Sequence, residues 1–250
     1  MKRSAIPVPW LIVGEEFPDV SSAWGANDPA PGLLAAGGAL NAPSLVRAYS
    51  AGIFPWFSLG QPILWWSPNP RMVLKTGQFK LHRSLQKTLK KFTGSTNCAV
   101  KMDSAFDQVI GACAISPRDG QTGTWIVPDM ITAYTALHRA GHAHSVETWV
   151  NGELVGGLYC VNLGGMVFGE SMFARQTDAS KIALAALVAF CRAKGISMID
   201  CQQNTQHLSS FGASEMNRKE FVAHVSQQTE KPAPEWRFEP PFWAEIGMKF

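Results

Sequence analysis

The chain has 250 residues, 46% of them hydrophobic and 16% charged, which excludes a disordered protein and suits one large or two smaller domains. The net charge of +3 is too small to indicate nucleic-acid binding from overall charge, so such binding needs local patches. The five cysteines are scattered without CxxC spacing, which disfavours a disulfide framework or a zinc site and indicates a reducing compartment. The longest apolar run, residues 182–191, is about half of the roughly 20 residues that cross a bilayer, and the proline-broken start is unlike a signal peptide.

Prolines and tryptophans in the first third of the chain predict a small N-terminal domain over residues 1–75. Residues 1–30 have little periodicity and predict an irregular arm. A short helix follows, with Asn41 as N-cap, Pro43 in its first turn and Gly52 after its end. Further prolines exclude a long helix in the tryptophan-rich stretch that comes next.

The segment KLHRSLQKTLKKF, residues 80–92, predicts an amphipathic helix, because its leucines and phenylalanine recur at helical spacing. Four basic residues lie off that apolar stripe: Arg83, Lys87, Lys90 and Lys91. A charge run of this kind is usually a solvated face, so the pattern alone leaves its use open.

The remainder of the chain predicts a second domain, over residues 76–250, that mixes helices and strands. In order, the pattern predicts a helix over 128–141, strands over 144–150, 153–161 and 166–173, a helix over 178–194 and a strand over 196–202. Three antiparallel strands joined by tight turns, followed by a helix and another strand, indicate an α+β fold.

The last predicted strand ends in polar residues, Asp200 and Gln202, which alternation places on one face while Cys201 points the other way. By the same rule Glu170 and Met172 share a face of the preceding strand. If the two strands are neighbours, Glu170 faces Asp200 and Gln202, and the group can hold an amine and take up its proton. The alternative is that Asp200 caps a turn and Glu170 is a surface residue; spacing does not decide between them.

The second half also resembles the core of GNAT acyltransferases, whose acetyl-CoA enzymes carry a glycine-containing phosphate loop before the corresponding helix. Here that segment is RQTDAS, residues 175–180, with Asp178 where the glycine is expected. A carboxylate there repels pyrophosphate and blocks the close backbone approach that glycine allows. Coenzyme A is therefore disfavoured as the acyl donor.

A longer set of segments points to one family. These segments are GLLAAGGAL (32–40), YSAGIFPWF (49–57), LWWSPNPR (64–71), GTWI (123–126), AYTALHRAGHAHSVETW (133–149), LVGGLYCV (154–161), GESMFAR (169–175), ASKIAL (179–184) and IDCQ with HLSSFGA (199–213). In this order they resemble the leucyl/phenylalanyl-tRNA–protein transferases. The departures are Asn69, where Asp is common, and an N-terminal arm longer than usual.

The resemblance implies a small N-terminal α+β domain and a GNAT-like acyltransferase C-terminal domain. It also implies transfer of Leu or Phe, with Met as a further candidate, from aminoacyl-tRNA to proteins bearing N-terminal Arg or Lys. This transfer marks those proteins for degradation by the N-end rule. Such an enzyme works in the cytoplasm without a cofactor, a metal or a membrane, and we expect a monomer.

Carried over from the family, Asp200 and Gln202 orient the attacking amine, and Glu170 helps to hold the cationic peptide N-terminus. The aminoacyl ester is already activated, so no covalent intermediate is needed. Cys201 is an alternative nucleophile, which its opposite direction disfavours.

Substrate recognition implied by the same resemblance involves three sets of residues. Apolar candidates for the aminoacyl pocket are Leu158, Met172, Leu184 and Leu187. Trp56 and Trp125 are candidates for stacking on the 3′ adenosine, and the basic residues of segment 80–92 for binding acceptor-stem phosphates. Two other classes compete, a CoA-dependent N-acetyltransferase and a non-catalytic RNA-binding module.

Overall fold

A computed structural model describes residues 7–116 and 126–248. Its N-terminal part builds a four-stranded sheet of short strands and one helix, β1 (Trp10–Leu11), β2 (Leu33–Gly37), α1 (Ala42–Ser50), β3 (Phe54–Pro55) and β4 (Leu64–Trp66). The strand order is β1-β2-β4-β3, and β1 runs parallel to β2. The predicted start of α1 is confirmed, because the Asn41 side chain accepts a hydrogen bond from the Ser44 amide at 2.9 Å.

The second part forms a seven-stranded sheet with helices on both faces. Its elements are β5 (Arg71–Lys75), α2 (Arg83–Thr93), β6 (Cys98–Met102), α3 (Phe106–Ile115), α4 (Pro128–Arg139), β7 (Ala143–Val150), β8 (Glu153–Leu163), β9 (Met166–Ala174), α5 (Ala179–Ala193), β10 (Met198–Gln202), α6 (Gln206–Ser210), β11 (Ser214–Met216) and α7 (Arg218–Thr229). Short 3-10 helices lie at Val20–Ser22, Thr76–Gln78 and Pro240–Ile246. The strand order is β11-β5-β10-β9-β8-β7-β6.

The predicted run of three antiparallel strands, a helix and a strand is confirmed in β7, β8, β9, α5 and β10. After the α5 crossover, β10 pairs in parallel with β9, and Asp200 lies opposite Phe168. The fold class is therefore α+β, as predicted. The chain passes from the small sheet to the large sheet between β4 and β5. The predicted domain boundary at residue 75 stays a prediction.

Two apolar clusters fill the two faces of the large sheet. One lies between the sheet, the N-terminal part and helices α1, α3, α4 and α7; it includes Tyr49, Tyr134 and Phe168. The other lies under α2, α5 and the C-terminal 3-10 helix. The N-terminal part thus closes over one face of the large sheet, and we call this the α1 face and the opposite one the α5 face.

Helix α2 has the predicted amphipathic character. Its leucines and Phe92 are buried on the α5 face, whereas the four predicted basic residues are exposed. No helix among the described residues combines the length and the apolar composition that crossing a bilayer requires.

Candidate active site

Glu170 lies at a β-bulge of β9. Tyr159 of β8 pairs with Ser171 and the next residue pairs with Gly169, which leaves Glu170 as the extra residue. The bulge shifts the alternation of the strand, so Phe168 and Phe173 pack on the same α1 face although they are five residues apart. Met172 packs on the α5 face. The prediction that Glu170 and Met172 share a face is therefore wrong.

The Glu170 carboxyl group is surrounded by hydrogen-bond donors. The Tyr49 hydroxyl donates to Oε1 at 2.6 Å, and the Gln202 Nε2 donates to the same oxygen at 2.8 Å. The single proton of the Tyr134 hydroxyl has two acceptors within reach, Oε2 at 3.2 Å and the oxygen of the adjacent Tyr49 hydroxyl. Oε2 is thus the less engaged oxygen and retains acceptor capacity.

Burial among these groups raises the pKa of Glu170 from 4.5 to about 8. The hydrogen bonds from Tyr49, Tyr134 and Gln202 oppose this rise, and the nearby Asp200 carboxylate adds to it. A carboxyl group with this pKa exchanges a proton readily with an α-amine, whose ordinary pKa is about 8.

Gln202 reaches Glu170 through an irregular end of β10. Its backbone is left-handed, with φ +61°, and the pairing of β10 with β5 shifts between Asp200 and Gln202. The backbone N–H of Gln202 donates to Asp200 Oδ1 at 2.9 Å. The strand neighbours predicted from sequence are therefore brought together, with Gln202 as the residue that joins the two acids.

Asp200 is fully buried and forms a two-pronged ion pair with Arg71 of β5. Arg71 Nε lies 2.8 Å from Oδ1 and Nη2 lies 2.6 Å from Oδ2. The guanidinium stacks between the rings of Phe54 and Phe221, each centroid 4.6 Å away, and donates to the Gly52 carbonyl. Both Asp200 oxygens are thus occupied by protein donors inside the core.

Three residues of this group had no role in the sequence prediction. Tyr49, Tyr134 and Arg71 stand in segments that carry the family resemblance, but nothing marks them as partners of the acids. Tyr49 and Tyr134 face the core from α1 and α4 and are fully buried, as apolar periodicity alone would suggest. Only the tertiary structure shows that their hydroxyls meet Glu170.

The predicted pocket residues lie together on the α5 face. Leu158 of β8 is the cross-strand neighbour of Met172 of β9, and α5 supplies Leu184 and Leu187 above them. The three leucines are buried and Met172 is partly exposed. Their role in binding the aminoacyl group stays a prediction.

Cys201 belongs to the same α5-face cluster, at its margin. Burial raises the pKa of its thiol well above the usual range, and the Asp200 carboxylate raises it further. Because a nucleophilic cysteine needs its thiolate, this environment speaks against Cys201 as the nucleophile.

The predicted tRNA-binding residues are spread over two regions. Trp56 is partly buried at the small sheet; it packs edge-on against Trp66 at 5.4 Å, and its carbonyl accepts the Trp66 indole N–H at 2.6 Å. Trp125 lies outside the described residues. The four basic residues of α2 make no ion pair with any described residue.

Known proteins of similar sequence identify the family of this chain. A model of the leucyl/phenylalanyl-tRNA protein transferase family matches residues 73–226, and a model of the N-terminal domain of that family matches residues 38–69. A leucyl/phenylalanyl-tRNA–protein transferase of Polaromonas sp. strain JS666 is 69% identical over 240 residues, which cover 96% of this chain and 94% of that protein. Its counterpart in Albidiferax ferrireducens is 59% identical, covering 98% and 97%. The crystal structure of FemX aligns with a TM-score of 0.42 at 8% identity, over 74% of this chain and 71% of that one.

These matches define the class first, an aminoacyltransferase that uses aminoacyl-tRNA as donor. The chain belongs to the leucyl/phenylalanyl-tRNA–protein transferase family. The predicted family and the predicted transfer of Leu or Phe from tRNA to protein are confirmed. The CoA-dependent acetyltransferase and the non-catalytic RNA-binding module are excluded.

Proposed function

We propose that Glu170 is the group that takes the proton from the attacking α-amine when Leu or Phe is transferred to a protein with N-terminal Arg or Lys. The observation that carries this proposal is the position of its carboxyl group, whose Oε1 accepts two hydrogen bonds while Oε2 accepts one longer bond. A pKa of about 8 lets the same group accept a proton near neutral pH and release it again.

The reaction balances without any further reagent. Ionised Glu170 removes a proton from the acceptor ammonium, and the free amine attacks the ester carbonyl carbon of leucyl- or phenylalanyl-tRNA. A C–N bond forms and the C–O bond to the ribose breaks. Protonated Glu170 gives its proton to the ribose oxygen, which leaves as a hydroxyl. The second proton of the amine nitrogen, lost as the tetrahedral intermediate collapses to the amide, passes to the re-ionised Glu170 and from there to solvent.

Gln202 orients the amine, and Asp200 orients Gln202. The amide oxygen of Gln202 accepts no hydrogen bond from a described residue, while its Nε2 is held by Glu170. That oxygen can therefore accept from the amine as positive charge develops on it. Asp200, occupied by Arg71 and by the Gln202 backbone, acts through the placement of Gln202 and not on the substrate.

The tRNA lies along the basic face of α2 in this proposal. Arg83, Lys87, Lys90 and Lys91 are exposed and project from one helix, as required to contact consecutive phosphates without reading the sequence. Trp56 stacks on the 3′ adenosine, and the apolar cluster around Met172 receives the Leu or Phe side chain. This cluster lies on the face opposite Glu170, but β9 and β10 pair only as far as Phe168 and Asp200, so the aminoacyl group passes between the two strands beyond that point. The enzyme acts as a monomer in the cytoplasm, where charged tRNA is available.

A transfer assay with two labels tests the donor and the nucleophile in this proposal. The full chain is incubated with an Arg-initiated peptide and either labelled leucyl-tRNA or labelled acetyl-CoA, and the peptide is analysed. We expect label from leucyl-tRNA alone, attached to the α-amine. The same reaction with a peptide whose α-amine is acetylated is the matched control, and label on that peptide would refute the assigned nucleophile.

A further inference from the structure

Asp178 is unusual in two respects. It precedes α5 at the N-cap position with φ +64°, a left-handed conformation that strains residues other than glycine. An aspartate at an N-cap normally accepts a hydrogen bond from the first turn of its own helix, but Asp178 makes no such bond. Its carboxylate therefore binds other groups, although this leaves the backbone strained and the N-terminus of α5 without a side-chain cap.

The carboxylate turns toward α2. Oδ2 lies 3.1 Å from the Thr88 hydroxyl in the middle of that helix, and Oδ1 accepts from Lys181 at 2.8 Å. The Thr88 proton has a second acceptor in reach, the Ser84 carbonyl at 3.2 Å. A carboxylate is the stronger acceptor because its hydrogen bonds are charge-assisted. The hydrogen bonds from Lys181 and Thr88 lower the pKa of Asp178, which keeps it ionised.

We propose that Asp178 is a positioning residue that fixes the rotation of α2 about its axis, and so aims the basic face of α2 at the tRNA. The buried side of the helix consists of Leu85, Leu89 and Phe92. Their apolar contacts are non-directional and do not prevent rotation of the helix about its axis. A hydrogen bond is directional, and Thr88 lies at the margin between this apolar stripe and the exposed Lys87 and Lys91. This inference rests on the proposed function, because it assumes that α2 binds tRNA.

Two variants separate positioning from simple charge. Asp178→Gly removes a negative charge near an RNA-binding face, relieves the left-handed strain and frees Lys181, so electrostatics alone predicts tighter binding. A positioning role for Asp178 predicts weaker binding of tRNA. Thr88→Val removes the same hydrogen bond without changing the charge. We expect both variants to weaken the binding of leucyl-tRNA, measured without acceptor peptide. The expected loss is about fivefold, which corresponds to the net free energy of one hydrogen bond.

The readouts distinguish positioning from damage to the fold. We expect the KM for leucyl-tRNA to rise in both variants while kcat stays within about twofold, and hydrogen exchange of the amides in 83–93 to become faster. The Tm of Asp178→Gly should stay close to that of the wild type, because relief of the left-handed strain offsets the lost contacts with Thr88 and Lys181. Unchanged exchange in α2, or binding as tight as the wild type in either variant, would overturn the inference.

Arg83→Ala and Lys87→Ala test the assumption beneath it. If these two weaken tRNA binding while Asp178→Gly and Thr88→Val do not, Asp178 has no positioning role and the proposed tRNA face stands. If Arg83→Ala and Lys87→Ala leave both the affinity and its salt dependence unchanged, α2 does not bind tRNA, and the inference fails together with that part of the proposed function.

Discussion

Replacing Glu170 with glutamine should abolish efficient transfer and yet stabilise the protein at alkaline pH. Glutamine has the same shape, and its amide oxygen can still accept hydrogen bonds from Tyr49 and Gln202. It has no proton to gain or lose. The variant therefore removes the ionisation of this one group and leaves the contacts of Oε1 in place. At the position of Oε2 the new NH2 group can donate to the Tyr134 hydroxyl, whose own proton then goes to Tyr49.

The magnitude follows from the pKa of Glu170, which folding raises from 4.5 to about 8. Because the native state holds the proton more tightly than the unfolded chain, this group favours folding below pH 4.5, and its contribution is lost as the pH rises through about 8. At 1.36 kcal/mol per pH unit the full difference is about 5 kcal/mol, an upper value. Because Glu170 as a residue is only partly buried, screening by solvent reduces the difference to roughly 2 kcal/mol, or about 4–8 °C in Tm for a chain of this size.

Thermal unfolding of both proteins at pH 5.5, 7 and 9 measures this difference. We expect a small Tm difference at pH 5.5, where only the first part of the loss between pH 4.5 and about 8 has developed, and a clearly higher Tm for Glu170→Gln at pH 9. The buried thiol of Cys191, whose pKa is raised by burial alone, is common to both proteins and cancels. Single-turnover transfer from leucyl-tRNA should fall about 10²-fold or more in the variant, as for loss of a general base, after subtraction of spontaneous ester hydrolysis.

Two results would refute this reasoning. If the Tm difference between the proteins is the same at pH 5.5 and pH 9, Glu170 is not protonated in the native state at neutral pH. If Glu170→Gln transfers Leu within about threefold of the wild-type rate at pH 8, another group accepts the proton of the amine.

Three further predictions concern the partners of Glu170 and the tRNA face. Arg71→Met leaves the buried Asp200 without its counter-charge and should cost about 3–5 kcal/mol in urea unfolding, whereas a loss below about 1 kcal/mol would mean that the pair is not buried. Gln202→Ala should lower kcat with little effect on the Kd for leucyl-tRNA. Arg83→Ala should instead raise that Kd and reduce the slope of its salt dependence by about one. Equal effects of the two variants on Kd would contradict the assigned roles. Tyr49→Phe removes a donor that favours ionised Glu170, so the rise of transfer rate with pH should shift to higher pH, and an unshifted profile would count against Glu170 as the base.

Much of the fold could be predicted from the sequence, because its signals are local. The N-cap of α1, the turn between β7 and β8 and the apolar stripe of α2 each depend on residues within one or two turns of chain. The pairing of β9 with β10 could also be predicted from the sequence, since a strand–helix–strand connection favours neighbouring parallel strands.

The site itself depends on features that strict alternation cannot reveal. The bulge at Glu170 inserts one residue and reverses the faces of everything after it, which is why Met172 lies on the other side of the sheet. Arg71 is 129 residues from Asp200 along the chain, and nothing near either residue signals the ion pair. Sequence could therefore name the acids and Gln202, but not the groups that tune and hold them.

Both acids of the site depend on side chains that precede residue 75. Tyr49 donates to Glu170, and Arg71 neutralises Asp200. A chain starting at residue 76 would keep all three predicted catalytic residues, but its core would contain an unpaired carboxylate and Glu170 would lack one of its donors. The part of the chain after residue 75 therefore cannot keep this site intact alone, and substitutions at Tyr49 and Arg71 are constrained by Glu170 and Asp200, which lie 121 and 129 residues later in the sequence.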